Sequence, residues 1–162
     1  MVRLFSVSVI GYLLLVPSYS FADIGQIQVL LDSGKFKQAY TLANTYLDEF
    51  EGDPAFDFSY GVAAVDSGNP SEGVFALERV LLIESNNHLA KLELARGYFF
   101  LGQYDHAQKL FSEVLTVNPP ELVQARIHSY LKQITERTQI VATRFKGFVE
   151  LWAGYDSNIN SG

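Results

Sequence analysis

The sequence contains no cysteine. This absence excludes a disulfide framework, thiol catalysis and thiolate metal ligands from the chain, and it also excludes a lipid anchor attached through cysteine. The three histidines, His88, His106 and His128, are too widely separated to form a metal-binding motif. No glycine-rich phosphate loop or nucleophile motif is present either. We therefore expect a non-enzymatic protein with no metal, no cofactor, no catalytic residues and no small-molecule substrate.

Positive charge is also scarce. Lysine and arginine number 12 against 18 aspartates and glutamates, which gives a formal net charge of -6. A chain of this charge repels the phosphate backbone of nucleic acids. Nucleic acid is therefore not an expected partner.

The apolar run near the N-terminus is short. Residues 4–16 are mostly apolar, but about 13 residues fall well short of the roughly 20 that a membrane-spanning helix needs. Arg3 precedes the run, Pro17 follows it, and Ser20 and Ala22 form a small-residue cleavage site before Asp23. These features predict a signal peptide over residues 1–22. A membrane anchor and a buried N-terminal helix are the alternatives.

The rest of the chain repeats itself at a spacing of 34 residues. The glycines Gly34, Gly68 and Gly102 define the register. Four further columns keep the same spacing: Ala39, Gly73 and Ala107; Ala43, Leu77 and Phe111; Tyr46, Val80 and Val114; and Leu30, Ala64 and Tyr98. Five columns in three copies indicate a repeat protein, in which each unit buries its apolar face against its neighbours.

The chemistry of the columns predicts two helices in each unit. The glycines tolerate the left-handed backbone at a helix C-terminus. The small residues five positions later, beginning with Ala39, allow the second helix to approach the first, and larger apolar residues fill the space behind them. Pro54 and Pro119 mark the ends of second helices. The predicted repeats cover residues 24–53, 54–87 and 88–119.

A helix–turn–helix unit of this length and pattern resembles the tetratricopeptide repeat (TPR). The third copy carries the resemblance most fully, with Ala95, Tyr98, Gly102, Tyr104, Ala107, Phe111 and Pro119 at matching positions. The first copy is the weakest, with Ile27 where the family has a small residue. The resemblance implies an all-α solenoid of three repeats.

A fourth element is expected to cover the last repeat. Apolar residues recur at helical spacing after Pro120 and Glu121, which suit a first helical turn. They are Val123, Ile127, Tyr130, Leu131 and Ile134. We predict a capping helix over residues 120–139, which completes a TPR domain over residues 23–139.

The resemblance also implies a binding groove, because the first helices of successive tetratricopeptide units line a concave face that binds peptides. The corresponding positions are Phe58, Val62, Val65 and Asp66 in the second unit, and Leu89, Leu92, Arg96 and Phe99 in the third. They form an apolar strip with one arginine and one aspartate, which suits a peptide with apolar anchors. Alternatively, the capping helix or the missing part of the protein covers some of the strip.

The pattern changes near the C-terminus. Odd positions from 145 to 155 are all apolar or small, whereas even positions from 146 to 156 carry three charged residues among aromatic ones. This alternation predicts a strand of about ten residues, the length of a membrane-barrel strand. Any half-buried strand shows the same alternation, and an edge strand folded onto the helices or a disordered extension are alternatives.

The stretch GYDSNIN after this segment, together with the order of the parts, resembles the surface lipoprotein assembly modifier (Slam) family. Its members carry a periplasmic tetratricopeptide domain before an outer-membrane barrel and help to move lipoproteins to the cell surface. The resemblance implies that residues 140–162 begin a truncated β-barrel. It places the protein in the periplasm and outer membrane of a Gram-negative bacterium, with the barrel as its link to the membrane.

The implied function is a protein–protein interaction module that recruits a lipoprotein substrate or an assembly partner for surface export. Two alternatives stay open. One is a free periplasmic scaffold in envelope assembly. The other is the repeat domain of a polysaccharide export porin, although such porins carry more repeats.

Overall fold

The computed structural model describes residues 21–159, and every regular element in that range is an α-helix. The helices are α1 (Phe21–Asp32), α2 (Phe36–Asn44), α3 (Leu47–Phe50), α4 (Pro54–Ser67), α5 (Pro70–Ile83), α6 (His88–Phe100), α7 (Tyr104–Thr116) and α8 (Glu121–Ile159). The predicted signal peptide, residues 1–22, lies outside the described residues except for its last two. Within the described range, no helix combines the length and apolar character that crossing a bilayer requires.

The helices stack in successive pairs. α1 contacts α2, α4 contacts α5, and α6 contacts α7, while α2 and α5 each contact the first helix of the following pair. The first helices also contact one another, α1 with α4 and α4 with α6, and α8 packs on α7. This two-layer stack confirms the predicted all-α helical-repeat architecture.

The three register glycines end the first helices as predicted. Their φ angles are +69° at Gly34, +96° at Gly68 and +74° at Gly102. At each of them, the next residue donates its backbone N–H to the carbonyl five residues back, as in Asn69 to Ala64 at 2.8 Å. The same hydrogen bond at all three turns gives each pair of helices the same connection.

Three clusters of buried side chains follow one another along the stack. The first lies mainly between α1, α2 and α4 around Ile27, the second around Leu77 of α5, and the third between α6, α7 and α8 around Phe111. α8 contributes Ile127 and Ile134 to the third cluster, and both are fully buried. The N-terminal half of α8 therefore covers α7 at the end of the stack.

The first repeat differs from the other two because its second helix is interrupted. α2 ends at Asn44, and the short α3 begins at Leu47. The Thr45 hydroxyl donates to the Leu42 carbonyl at 2.6 Å. The backbone N–H groups of Thr45 and Tyr46 donate to carbonyls three residues back, so α2 ends in a tighter turn.

The strand predicted from residue 145 is not confirmed, because α8 continues to Ile159. The apolar residues of this segment also fit a helix, since Val141, Phe145 and Phe148 recur at intervals of four and three. All three are exposed. With no neighbouring strand in the described part of the chain, a helix satisfies the backbone hydrogen bonds of the segment internally.

Hydrogen bonds between tyrosines and glutamates join neighbouring helices and make stability sensitive to alkaline pH. Tyr60 donates to Glu72 at 2.6 Å, and Tyr98 donates to Glu78. Burial, then the hydrogen bond to Glu78, raises the pKa of Tyr98 to about 12. Burial and Glu72 likewise raise the pKa of Tyr60.

A raised tyrosine pKa means that the folded state holds its proton more tightly than the unfolded chain. The resulting stability is complete below the ordinary tyrosine pKa of about 10 and is lost as pH rises towards the folded value. We expect the free energy of unfolding, measured in urea, to fall between about pH 10 and about pH 12. The fall should be shallower in Tyr98→Phe, and an unchanged slope in that variant would contradict this account.

Candidate functional site

A pocket of about 760 Å³ lies between the layer of first helices and α8. Two of its lining residues come from the first part of the stack: Phe36 at the start of α2 and Asp66 at the end of α4. α6 contributes Leu92, Arg96, Phe99 and Phe100; α8 contributes Val123, Arg126, Ser129, Tyr130, Gln133 and Arg137. The pocket thus lies between α8 and α6, with the end of α4 and the start of α2 nearby.

The spacing of the lining residues on α8 shows why one helix can form a whole wall. Val123, Arg126, Tyr130, Gln133 and Arg137 follow one another at intervals of three or four. Such residues lie on one helix face. The neighbouring face carries the buried isoleucines that hold α8 on α7, so the anchoring of α8 also fixes the orientation of the pocket wall.

The structure brings four of the eight predicted groove residues together in this pocket: Asp66, Leu92, Arg96 and Phe99. The other four lie outside it. Val65 is 3% exposed and packs in the core near Gly73 and Gly97, and Leu89 is 66% exposed at the start of α6. Phe58 and Val62 are half-buried on α4. The binding role of all eight stays a prediction.

The predicted arginine and aspartate pair with each other. Arg96 forms ion pairs with Asp66 and with Glu93, the residue one turn before it. Burial alone would lower the pKa of Arg96, but attraction to Glu93 and the hydrogen bonds to Asp66 outweigh that effect and raise it. Burial also raises the pKa of Glu93 despite the opposing attraction of Arg96. Arg96 is therefore charged, and most of its hydrogen-bonding capacity is used within the protein.

Aromatic rings form the apolar part of the pocket. The Phe99 ring meets the Tyr130 ring edge-on at 4.9 Å and the Phe100 ring at 5.7 Å between centroids. The Arg137 guanidinium lies over the Phe99 ring, 5.0 Å from its centroid, and donates a hydrogen bond to the Tyr104 hydroxyl at 3.1 Å. Phe99 is only 4% exposed. It acts as a core residue that supports the pocket, whereas Phe100 is 51% exposed and free to contact a ligand.

The pocket has the composition of a binding surface. Its lining contains three arginines and a single acidic residue, together with aromatic and aliphatic side chains. No group of three or more potential metal ligands occurs in the described part of the chain. The arrangement is suited to holding a chain with apolar and charged side groups.

The sequence predicted three of the four α6 residues of the pocket lining, all but Phe100, and none of the α8 residues. The apolar residues of α8 were expected to cover the third repeat or, as the alternative, part of the groove strip; Ile127 and Ile134 pack in the cluster of the third repeat, and Tyr130 packs against Phe99. The missed signal is the second set of residues at helical spacing, which includes Arg126 and Arg137. Two arginines on the same face as a half-buried tyrosine are unusual for a face that only covers a core.

Comparison with known proteins supports the fold. No known family model matches the chain, and no curated protein matches it in sequence. Among solved structures, the chain is similar to the second TPR domain of human RPAP3, determined by NMR in complex with the HSP70 peptide SGPTIEEVD. The TM-score is 0.57 at 15% sequence identity, over 70% of this chain and 92% of that chain. The chain therefore has a TPR-like fold.

Proposed function

We propose that the protein is a protein–protein interaction module whose pocket between α6 and α8 binds a peptide segment of its partner. The observation that carries the proposal is the pocket itself, since four groove residues predicted from the sequence line it. A volume of about 760 Å³ with aromatic walls suits a short peptide with apolar anchors. The RPAP3 domain of similar fold, solved with a bound peptide, supports the same use.

The proposed setting is the periplasm and outer membrane, with a lipoprotein substrate or an assembly partner as the ligand. The candidate signal peptide and the resemblance of residues 140–162 to the start of a Slam-type barrel support this setting. In this setting, residues 140–162 become a strand only when further barrel strands pair with them. The proposal includes no catalytic step. Recovery of Asp23 as the N-terminal residue from a periplasmic fraction would check the compartment.

Filling the pocket should abolish partner binding. Ser129 is an exposed residue of the pocket lining, so Ser129→Trp places a large ring where the partner would lie. Ser112 is also exposed, on α7 and outside this pocket, and Ser112→Trp is the matched control. We expect immobilised wild-type chain and the control to retain purified outer-membrane lipoprotein equally, and Ser129→Trp to retain about tenfold less.

Equal retention by the two tryptophan variants would contradict the assignment of the pocket. Loss of retention in both variants would point to a contact with the outer surface of the stack instead. Circular dichroism of each variant shows whether the fold is kept.

A further inference from the structure

We propose that the pocket selects an acidic segment of its partner, and that α8 supplies the selecting charges. This inference rests on the proposed function, since it names the class of peptide that the same pocket takes. Specifically, Arg126 and Arg137 receive two acidic side chains of one extended segment. An apolar side chain between them packs on the aromatic residues of the pocket.

The charges of the pocket favour an acidic ligand. Arg96 is already paired with Asp66 and Glu93. Arg126 is attracted by Glu93 but forms no ion pair with any residue in the range that the structure describes. Arg137 contacts only uncharged partners there, the Phe99 ring and the Tyr104 hydroxyl. Arg126 and Arg137 therefore lack a direct carboxylate partner in the described range, and the three arginines exceed the two nearby carboxylates by one charge, although the net charge of the chain is -6.

Arg137 is held in place before any ligand arrives. Its guanidinium stacks over one ring and uses one donor on Tyr104, which leaves other N–H groups available. A guanidinium fixed in this way loses little conformational freedom when it binds a carboxylate. Arg126 is exposed on the same helix face and can form a charge-assisted hydrogen bond from its own end of the pocket.

The helix geometry sets the spacing of the acidic groups in the ligand. Arg126 and Arg137 are three helical turns apart, which is about 16 Å at a rise of about 1.5 Å per residue. In an extended peptide every second side chain lies on the same face, so acidic residues four positions apart are separated by about 13 Å, and the long arginine and glutamate side chains cover the remaining distance. Tyr130 and Gln133 lie between the two arginines, beside Leu92 and Phe100 of α6. The preferred ligand therefore has two acidic residues four positions apart with an apolar residue midway between them, so that all three side chains lie on one face of the extended peptide.

Fluorescence anisotropy with defined peptides tests this inference on the full chain. The first probe is an extended peptide with two glutamates about four positions apart and a phenylalanine midway between them; the second has glutamines in place of the glutamates. Both are acetylated and amidated, so that only side chains carry carboxylates. We expect the acidic peptide to bind at least about tenfold more tightly. Arg126→Gln and Arg137→Gln should each remove most of that difference.

Lys132→Gln is the matched control, because Lys132 is 77% exposed on another face of α8 and the substitution removes the same charge. It should leave both affinities unchanged. Higher ionic strength should weaken binding of the acidic peptide more than binding of the neutral peptide, which tests the charge effect without any substitution.

Equal affinities for the two peptides, or arginine variants that bind the acidic peptide as the wild type does, would overturn this inference and leave peptide binding intact. Binding restricted to a glutamine peptide with a free C-terminus would also overturn it, because a terminal carboxylate would then be the recognised group. If the wild type binds none of these peptides, the inference fails. Partner retention in the tryptophan experiment then decides separately whether the proposed function stands.

Discussion

Replacing Arg79 with methionine is expected to lower the free energy of unfolding by about 3 kcal/mol, measured by urea denaturation. The reason is Asp57, whose side chain is 1% exposed. Arg79 donates to both of its carboxylate oxygens, at 2.7 and 2.9 Å. The hydrogen bonds to Asp57 also raise the pKa of Arg79, against the effect of burial. Removing the guanidinium leaves a buried carboxylate with only the Gly52 amide, at 3.1 Å, as a donor.

Two comparisons isolate the buried pair. Adding Asp57→Asn to Arg79→Met removes the uncompensated charge, so part of the lost stability should return. Lys132→Met breaks an exposed pair with Glu136 at 3.9 Å and should cost about 0.5 kcal/mol or less. If Arg79→Met and Lys132→Met had equal effects, the ion pair would not stabilise the junction between α4 and α5.

Replacing Gly73 with alanine should lower the free energy of unfolding by about 2 kcal/mol. α4 and α5 approach each other at this residue. A Cβ atom there would lie 2.7 Å from the Gly61 carbonyl oxygen and 2.6 Å from a Val65 methyl group. The carbonyl belongs to a helix backbone and cannot move without displacing α4. This strain exceeds the gain of about 1 kcal/mol that alanine brings to a helix interior.

Gly25→Ala is the matched control for the close approach. Gly25 lies inside α1, and a Cβ atom at this position would meet nothing within 4 Å. There the helix propensity of alanine acts alone, so stability should rise by about 0.5 to 1 kcal/mol. Thermal unfolding of the two variants should therefore show shifts of opposite sign. Shifts of the same sign would mean that the packing of α4 on α5 tolerates a methyl group.

Features encoded locally were predictable from the sequence. A glycine that ends a helix acts within one repeat, and so does a small residue where two helices approach closely. The spacing of such residues, Gly34, Gly68, Gly102 and Gly73, therefore predicted the helix pairs. The ion pair between Asp57 and Arg79 joins residues 22 positions apart. It leaves no periodic signal.

The candidate site was predictable only in part for a similar reason. The repeat register identified the α6 residues, because first helices of successive units share one face. Which α8 residues line the pocket depends on the rotation of α8 about its own axis. The packing of Ile127 and Ile134 on α7 sets that rotation, and this packing is a tertiary contact. The segment from residue 145 carries both a helical and an alternating apolar period. Neighbouring elements decide between two such periods.

Site-specific photo-crosslinking tests the central claim, that the partner binds between α6 and α8, most directly. A photoreactive residue replaces Gln133, which lines the pocket, or Gln139, which lies on another face of the same helix. The full chain is then mixed with purified outer-membrane lipoprotein and irradiated. The account predicts a crosslinked adduct from position 133 and little or none from position 139. Equal adducts from both positions, or an adduct from position 139 alone, would contradict it.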